Sequence, residues 1–355
     1  MPEAPPDRLL TALAAALQAA GSPWASVPLE PLKDKGLAHD HVRLVGTGVL
    51  ARIPKQSQMQ LAAQANLAYQ CACFERAAAS GHTPRLHAVL PPSAHLPRGA
   101  LLVQEIEGRS ARLPQDLPAI VQALAAVHAL PLPAGAARAP LRDDADPLQA
   151  LHDEIGAQAT HLAAAGVAAP VHAAILEEQA RLQRACAARP RPPRHLVAFD
   201  GHPGNFVVRA DGGAVLVDLE KCRYSYPGLD LAHATLYTST TWDVDSHAVL
   251  SLAEVQGAYA VWAQAVGDAA AQAARPWLVP LRRAMWLWSV TWCAKWRVLS
   301  GAAAGTRPDG EDWSAGRSDA ALVAHVRDRV THYLSPPVVA QMRAEFDALD
   351  ASFAP

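Results

Sequence analysis

The chain has 355 residues, 51% of them apolar and 18% charged, with a formal net charge of −2. That length can bury a substantial core, as one bilobal unit or as two domains, in an ordinary soluble globular composition. The near-zero charge offers no basis for a nucleic-acid partner, and no stretch approaches the roughly eighteen consecutive apolar residues of a membrane span.

Residues 7–20 pattern as an amphipathic helix with Asp7 as N-cap and Gly21 as its stop. They lack the basic region before an apolar core that a signal peptide needs. Strands are expected over 42–45 and 48–53, the second ended by Pro54. Residues 58–80 form a long Ala-rich helical pattern, closed by Gly81 and the Thr83-Pro84 step. Two further strands, 86–90 and 100–106, flank a Pro-rich loop, and the first hundred residues are read as a strand-strand-strand-helix-strand-strand lobe in which one of the three leading strands has no residues assigned. A helix over 117–130 ends in LAAVHALP, where His128 suits the negative end of the helix dipole. From Pro147 onward the chain is mostly helical, over 149–166, 171–188, 246–266, 275–299 and 319–333, with 300–316 as an exposed Gly-, Ala- and Asp-rich loop. Cys71, Cys73, Cys186, Cys222 and Cys293 form no CxxC pair and no metal-ligand spacing, which fits reduced thiols in a cytoplasmic protein.

The chemistry concentrates between 199 and 230, FDGHPGNFVVRADGGAVLVDLEKCRYSYPGLD. Asp200 and Asn205 stand around a Pro-Gly turn, and a short hairpin follows whose apolar second strand, AVLV, delivers Asp218. Phosphoryl transfer needs these parts in this order. One carboxylate accepts a hydrogen bond from the acceptor hydroxyl and aims it at the γ-phosphorus of ATP. An Asn and a second Asp hold Mg²⁺, a hard cation that takes oxygen ligands, across the phosphates. A turn rich in Asp, Gly, Pro and Asn is by itself only a turn. Here strand-like segments flank it and the second carboxylate follows at hairpin distance.

The segment resembles the signature of the aminoglycoside phosphotransferase and choline kinase superfamily, small-molecule kinases with a protein-kinase-like fold. That signature reads approximately His-Gly-Asp-Leu-His-Pro-Gly-Asn, Ile-Asp-Trp/Phe-Glu and Asp-Leu-Ala. This chain has Asp200, His202, Pro203, Gly204 and Asn205, then Val217-Asp218-Leu219-Glu220, then Asp230-Leu231-Ala232. Ala198 stands where the family carries a His two residues before the catalytic Asp, which bears on the rigidity of the loop more than on its chemistry. His195, five residues before Asp200, cannot take its place.

The resemblance implies an α+β, bilobal protein-kinase-like fold, with a small antiparallel-sheet N-lobe over residues 1–106 and a larger, mainly helical C-lobe over 107–355. It makes Asp200 the catalytic residue, Asn205 and Asp218 the Mg²⁺ ligands, and ATP the nucleotide. KGLAHDHVRL, residues 35–44, resembles the phosphate-covering loop, with Gly36 its surviving glycine and Lys35, Ala38 and His39 as replacements. Arg52 on the third strand is the favoured phosphate cation, with Lys55 as its rival, and its helix partner is either Gln70 or Glu75. LLVQEIEGR resembles the hinge, so backbone groups of Gln104, Glu105 and Ile106 would face the adenine edge, and Gly108 marks the crossing. His128 matches a Leu-Ala-x-Leu-His helix ending found in the family.

Trp288, Trp292 and Trp296 fall at i, i+4 and i+8 on one helical face. Such a stripe is either core packing or, as in choline kinase relatives, an aromatic pocket for a cationic amine, with Trp242 on its other wall. Glu220 would lie beside the metal or the acceptor, and Asp230 would brace the loop. Asp243 and Asp245 are the carboxylates that would suit a polycation. The expected protein is thus an ATP- and Mg²⁺-dependent kinase for a hydroxyl of a small cationic, amino-alcohol-like metabolite. Its alternatives are an aminoglycoside O-phosphotransferase and a catalytically silent nucleotide-binding regulator of the same fold. The sequence leaves the acceptor, the choice of ATP or GTP and the oligomeric state open.

Overall fold

The glycines of Leu44-Val-Gly-Thr-Gly-Val49 reverse the chain between two strands, and both sit at positive φ, 78° at Gly46 and 68° at Gly48, where a side chain would be strained. This hairpin is the centre of the first of two units in the computed structural model, which describes residues 5–33, 36–303 and 310–353. The first unit comprises Met1–Ala78, Pro84–Ile106 and Leu299–His325. It carries α1 (Pro5–Ala19), β1 (Leu29–Pro31), β2 (His39–Leu44), β3 (Val49–Pro54), α2 (Ala63–Ala77), β4 (Leu86–Leu90) and β5 (Ala100–Gln104). The strands form one antiparallel sheet in the order β1-β2-β3-β5-β4. β1 is bounded by Pro28 and Pro31, residues tolerated at a sheet edge because they cannot donate to a neighbour.

Alternation decides what each face of β3 does. Val49, Ala51 and Ile53 join Val42, Leu44 and Leu102 in a core with Leu13 and Leu17 of α1. Arg52 projects to the other face, where its guanidinium lies 5.8 Å from the ring centre of Phe74 on α2. The helix expected over 58–80 begins only at Ala63. Ahead of it, Gln60 takes a positive φ of 57° and the amide of Leu61 donates to Ser57 Oγ, so this stretch is a turn.

The segment 299–325 groups with the sheet unit, where a single part over 107–355 was expected. Hydrogen bonding gives the reason. Gly310 O accepts from Ser57 N (2.9 Å) and Arg98 Nη2 (3.2 Å), and Asp312 N donates to Gln56 Oε1 (2.9 Å). Backbone groups of the loop before α2 find their partners there. Trp313 and Ser314 are buried, which corrects the expectation of an exposed loop at those positions.

The second unit, Ala79–Thr83, Glu107–Val298 and Val326–Pro355, is mainly helical. In chain order it introduces β6 (Arg109–Ser110), α3 (Leu117–His128), α4 (Pro147–Ala159), α5 (Ala169–Ala187), β7 (His195–Val197), β8 (Phe206–Val208), β9 (Ala214–Leu216) and β10 (Arg223–Ser225). α6 (Pro227–Thr235), α7 (Tyr237–Thr240), α8 (Leu252–Val266), α9 (Asp268–Ala274), α10 (Leu278–Leu299), the end of α11 (Ala320–Tyr333) and α12 (Pro336–Phe353) follow. β6, β8 and β9 form one small antiparallel sheet, and β7 pairs with β10. Trp286, Val290 and Ala294 of α10 are fully buried. Arg282, on the same helix and also fully buried, is matched by Glu345 of α12 and by Thr235 at the end of α6.

Candidate active site

β7 ends at Val197, and the next two amides turn onto one carboxylate. Ala198 N donates to Asp230 Oδ2 and Phe199 N to Asp230 Oδ1, both at 2.7 Å. Asp230 is fully buried in the first turn of α6 and also accepts from His128 Nε2 at 2.9 Å. The Trp262 indole donates to His128 Nδ1 at 3.0 Å, which leaves Nε2 to carry the proton toward Asp230. His128 therefore braces the loop from beneath and is neither a solvent-side helix cap nor a proton carrier at the site. Phe199, at φ 61°, is in the left-handed region that a bulky side chain adopts only when its surroundings hold it there. Its ring is held by the Trp288 edge (5.3 Å between centroids) and the Arg223 guanidinium (3.5 Å from the centroid).

This strained residue presents Asp200. Its Oδ2 accepts from Lys221 Nζ at 2.7 Å, and its Oδ1 lies 3.7 Å from His233 Nδ1. Burial alone would raise the Asp200 pKa, but Lys221, with His202 and His233, outweighs it and keeps the carboxyl below its ordinary range. Burial pushes His233 down to about 4, so its imidazole is neutral at physiological pH. Asn205 Nδ2 donates to Asp200 O (2.9 Å), while Asn205 O accepts from Val217 N (2.9 Å). One asparagine thus ties the Asp200 loop to the end of β9, where Asp218 follows. Since its amide nitrogen faces Asp200, the Asn205 side-chain oxygen faces the other way.

A layer of charge lies behind the loop. Glu154 of α4 accepts from Trp288 Nε1 (2.6 Å), Arg142 (2.5 Å) and Arg223 (3.2 Å). Burial would raise its pKa, and the two guanidiniums instead lower it to about 2. Gly204 lies tight against the segment after α7: an added Cβ would come within 2.8 Å of Asp243 Cβ. Asp243 accepts from Ser246 N and Oγ, and Asp245 from Ser110 Oγ, so both expected acceptor carboxylates have partners within the chain.

The tryptophan stripe divides. Trp296 is core, as is Trp286. Trp292 meets Trp242 edge-on at 5.7 Å, and Trp242 stacks with Tyr333 at 6.3 Å. Trp288 faces elsewhere: Lys221 Nζ lies 5.3 Å from its ring centre and His233 6.3 Å away. Glu220, next to Lys221, is buried. Sequence reasoning missed Lys221, His233, Glu154 and Trp262. For Lys221 a signal existed, a cation directly after the Asp218-Leu219-Glu220 that follows β9. His233 likewise follows directly on the Asp230-Leu231-Ala232 motif, whereas Glu154 and Trp262 are brought in from other helices.

In the first unit Arg52 is buried, and its Nη2 lies 3.4 Å from His39 Nδ1. His39 Nε2 in turn meets Gln70 Oε1 at 3.1 Å, whereas Glu75 accepts from Cys71 Sγ on an exposed face. The open choice of helix partner thus falls to Gln70, acting through His39. Lys55, the rival cation, pairs with Asp40 at 3.2 Å. The amides of Gln104 and Glu105, two of the three expected hinge residues, donate to Arg85 O and Gly48 O within the sheet unit. Gly36 is exposed, and Lys35 lies outside the described residues.

An antiparallel sheet unit, a mainly helical unit, and a braced Asp-x₄-Asn loop followed by a hairpin Asp are the parts of a phosphotransferase of protein-kinase-like fold. The chain belongs to the phosphotransferase enzyme family, whose model matches residues 33–277. A search of curated protein sequences found no significant match. Among solved structures the chain is similar to a Plasmodium vivax ethanolamine kinase (TM-score 0.59, 11% identity, 89% of this chain and 84% of that one). It is also similar to a choline/ethanolamine kinase family protein from Mesorhizobium loti (0.54, 19%, 94% and 98%). A third is a thermostable mutant of aminoglycoside phosphotransferase APH(4)-Ia in ternary complex with ADP and hygromycin B (0.53, 14%, 90% and 96%). At these identities the likeness carries the fold. No helix among the described residues is long and apolar enough to cross a membrane.

Proposed function

We propose that the chain transfers the γ-phosphoryl group of ATP to a hydroxyl of a small-molecule acceptor, with Asp200 as the catalytic carboxylate. The observation that supports this best is the double tie of Asn205, side chain to Asp200 O and backbone to Val217 N, which joins the Asp200 loop to the Asp218 strand. Asp218 and the outward oxygen of Asn205 are hard oxygen donors, and this donor chemistry fits Mg²⁺. When bound, Mg²⁺ would neutralise phosphate charge.

Asp200 accepts a hydrogen bond from the acceptor hydroxyl and orients it. As the acceptor oxygen bonds to the γ-phosphorus, the bond from that phosphorus to the β,γ-bridging oxygen breaks, ADP leaves and the hydroxyl proton passes to Asp200. Positioning supplies most of the acceleration in such chemistry, which gives the bracing by Asp230, His128 and Trp262 its purpose. Arg52 is the proposed phosphate contact and Ile106 the proposed adenine contact. Both cationic acceptor readings, amino alcohol and aminoglycoside, would bring positive charge toward Asp200, whose carboxylate already has Lys221 as counter-ion.

The test is ADP release from Mg-ATP with an acceptor panel, for wild type and Asp200→Asn. Asp200→Asn should abolish transfer while nucleotide binding persists. Normal turnover by this variant would refute the assignment of the base, and binding without turnover in the wild type would favour the silent regulator.

A further inference from the structure

Lys221 sits against Asp200, the carboxylate that the acceptor hydroxyl would approach on the kinase reading. Its ammonium is 2.7 Å from Asp200 Oδ2 and 5.3 Å from the ring centre of Trp288, and its side chain is 9% exposed. Two consequences follow for the acceptor. The aromatic face nearest Asp200, the one an amine would seek, is already taken by the chain's own cation. The Trp288 indole N–H and its carboxylate partner Glu154 are likewise committed, Glu154 to two arginines as well. Among the described residues, the Trp288 ring, its N–H and Glu154 thus all have partners within the chain.

An ammonium offers three N–H donors, and Asp200 takes one of them from Lys221. If Asp200 receives the reacting hydroxyl, the remaining donors of this ammonium are the nearest cationic N–H groups to it and would suit a second oxygen on the acceptor. The acidic groups that act on Lys221 are Asp200, Glu220 and Asp218. Of these only Asp200 is within hydrogen-bonding distance of its Nζ.

We propose that Lys221 is a specificity-determining residue that selects an oxygen-rich, non-cationic acceptor, a polyol or hydroxy acid with an oxygen next to its reacting hydroxyl, and discriminates against amino alcohols. This rests on the kinase reading above. Taken by itself, the Lys221 charge disfavours a second ammonium about 6 Å away by about 100-fold at an effective dielectric of about 20, and this is the contribution that Lys221→Gln removes.

The test uses the full chain as wild type, Lys221→Gln and Lys221→Arg. The acceptors are three size-matched sets: amino alcohols (ethanolamine, choline), polyols (glycerol, simple sugars) and hydroxy acids (glycerate). ADP release gives kcat/KM, and calorimetry with Mg²⁺ and ADP gives binding without turnover. The wild type should respond to polyols or hydroxy acids and not to amino alcohols. Lys221→Gln should shift the ratio of cationic to non-cationic acceptors by about 100-fold toward the cations, and Lys221→Arg should keep the wild-type order. A residue that only supports the fold would lower all acceptors alike. Amino alcohols as the best wild-type acceptors, or an unchanged ratio in Lys221→Gln, would overturn the proposal. If no set is used while Mg-ATP is still slowly hydrolysed, the acceptor class is wrong and the kinase reading stands. If Mg-ATP is neither bound nor hydrolysed, the kinase reading itself fails.

Discussion

Asp230→Asn changes one atom and isolates what holds the Asp200 loop. The carboxylate receives three donors: Phe199 N on Oδ1, and Ala198 N and His128 Nε2 on Oδ2. An asparagine must turn its NH₂ toward one side. Facing Phe199 it loses one bond and sets its own N–H against that amide; in the other orientation it loses two. His128 cannot relieve the second case by moving its proton to Nδ1, because the Trp262 indole already donates to that atom. The better orientation therefore leaves the Phe199 amide unpaired, at the residue whose φ of 61° most needs holding. A hydrogen bond to a charged group contributes about 1.5–3 kcal/mol, and about 1.4 kcal/mol is tenfold in a population. Local opening of the loop should become about 10- to 150-fold more frequent. Hydrogen exchange read on a peptide containing Ala198 and Phe199 measures this directly, and turnover should fall while the KM for ATP holds. If exchange there matches the wild type, Asp230 does not hold the loop and the bracing argument fails.

Acidification should weaken the second unit in two stages. His233 is depressed to about 4 in the folded chain, so protonation favours unfolding: its contribution is intact above about 6.5 and is lost as pH falls toward 4, by at most about 3 kcal/mol. Glu154, held at about 2, loses its contribution only below about 4.5. Thermal midpoints followed against pH should show the first stage, and His233→Gln should flatten it; an unchanged slope in that variant would reassign it. Gly204→Ala puts a Cβ within 2.8 Å of Asp243 Cβ and 3.0 Å of His202 Cε1. Overpacking of this kind costs about 1–3 kcal/mol, and it should lower turnover together with the thermal midpoint, whereas a wild-type midpoint would mean that the segment after α7 yields freely. Arg52→Met keeps the contact with Phe74 but removes the charge, so the Kd for Mg-ATP should rise about 10- to 100-fold if Arg52 holds phosphates, and stay level in a titration if it does not.

What the sequence disclosed followed the range of the forces involved. The β8–β9 hairpin and its delivery of Asp218 were legible because turn chemistry and alternation are local. β1 was not located, since three residues beside two prolines carry no pattern of their own, and only pairing with β2 makes them a strand. α12 was missed for a different reason. Val339, Met342, Phe346 and Leu349 are buried at helical spacing, so the signal was present and unused. The start of α2 at Ala63 could not have been read locally, because residues from 310–312 bond the loop that precedes it.

The site divides in the same way, and the division bears on Ala198. The loss of the family histidine at that position suggested a weakened loop. In the structure the backbone amide of Ala198, which every residue type except proline shares, makes the bond to Asp230, and the side chain is not needed for it. Rigidity comes instead from His128 and Trp262, 102 and 32 residues from Asp230 in sequence, and from the aromatic and guanidinium groups around Phe199. A side chain lost from the motif is therefore a poor guide to lost function when the motif's geometry is fixed through its backbone. A side chain in direct contact with the proposed base is the more informative feature. Lys221 sets the charge beside the Asp200 carboxylate, whereas the Ala198 side chain takes no part in the bond its backbone makes to Asp230.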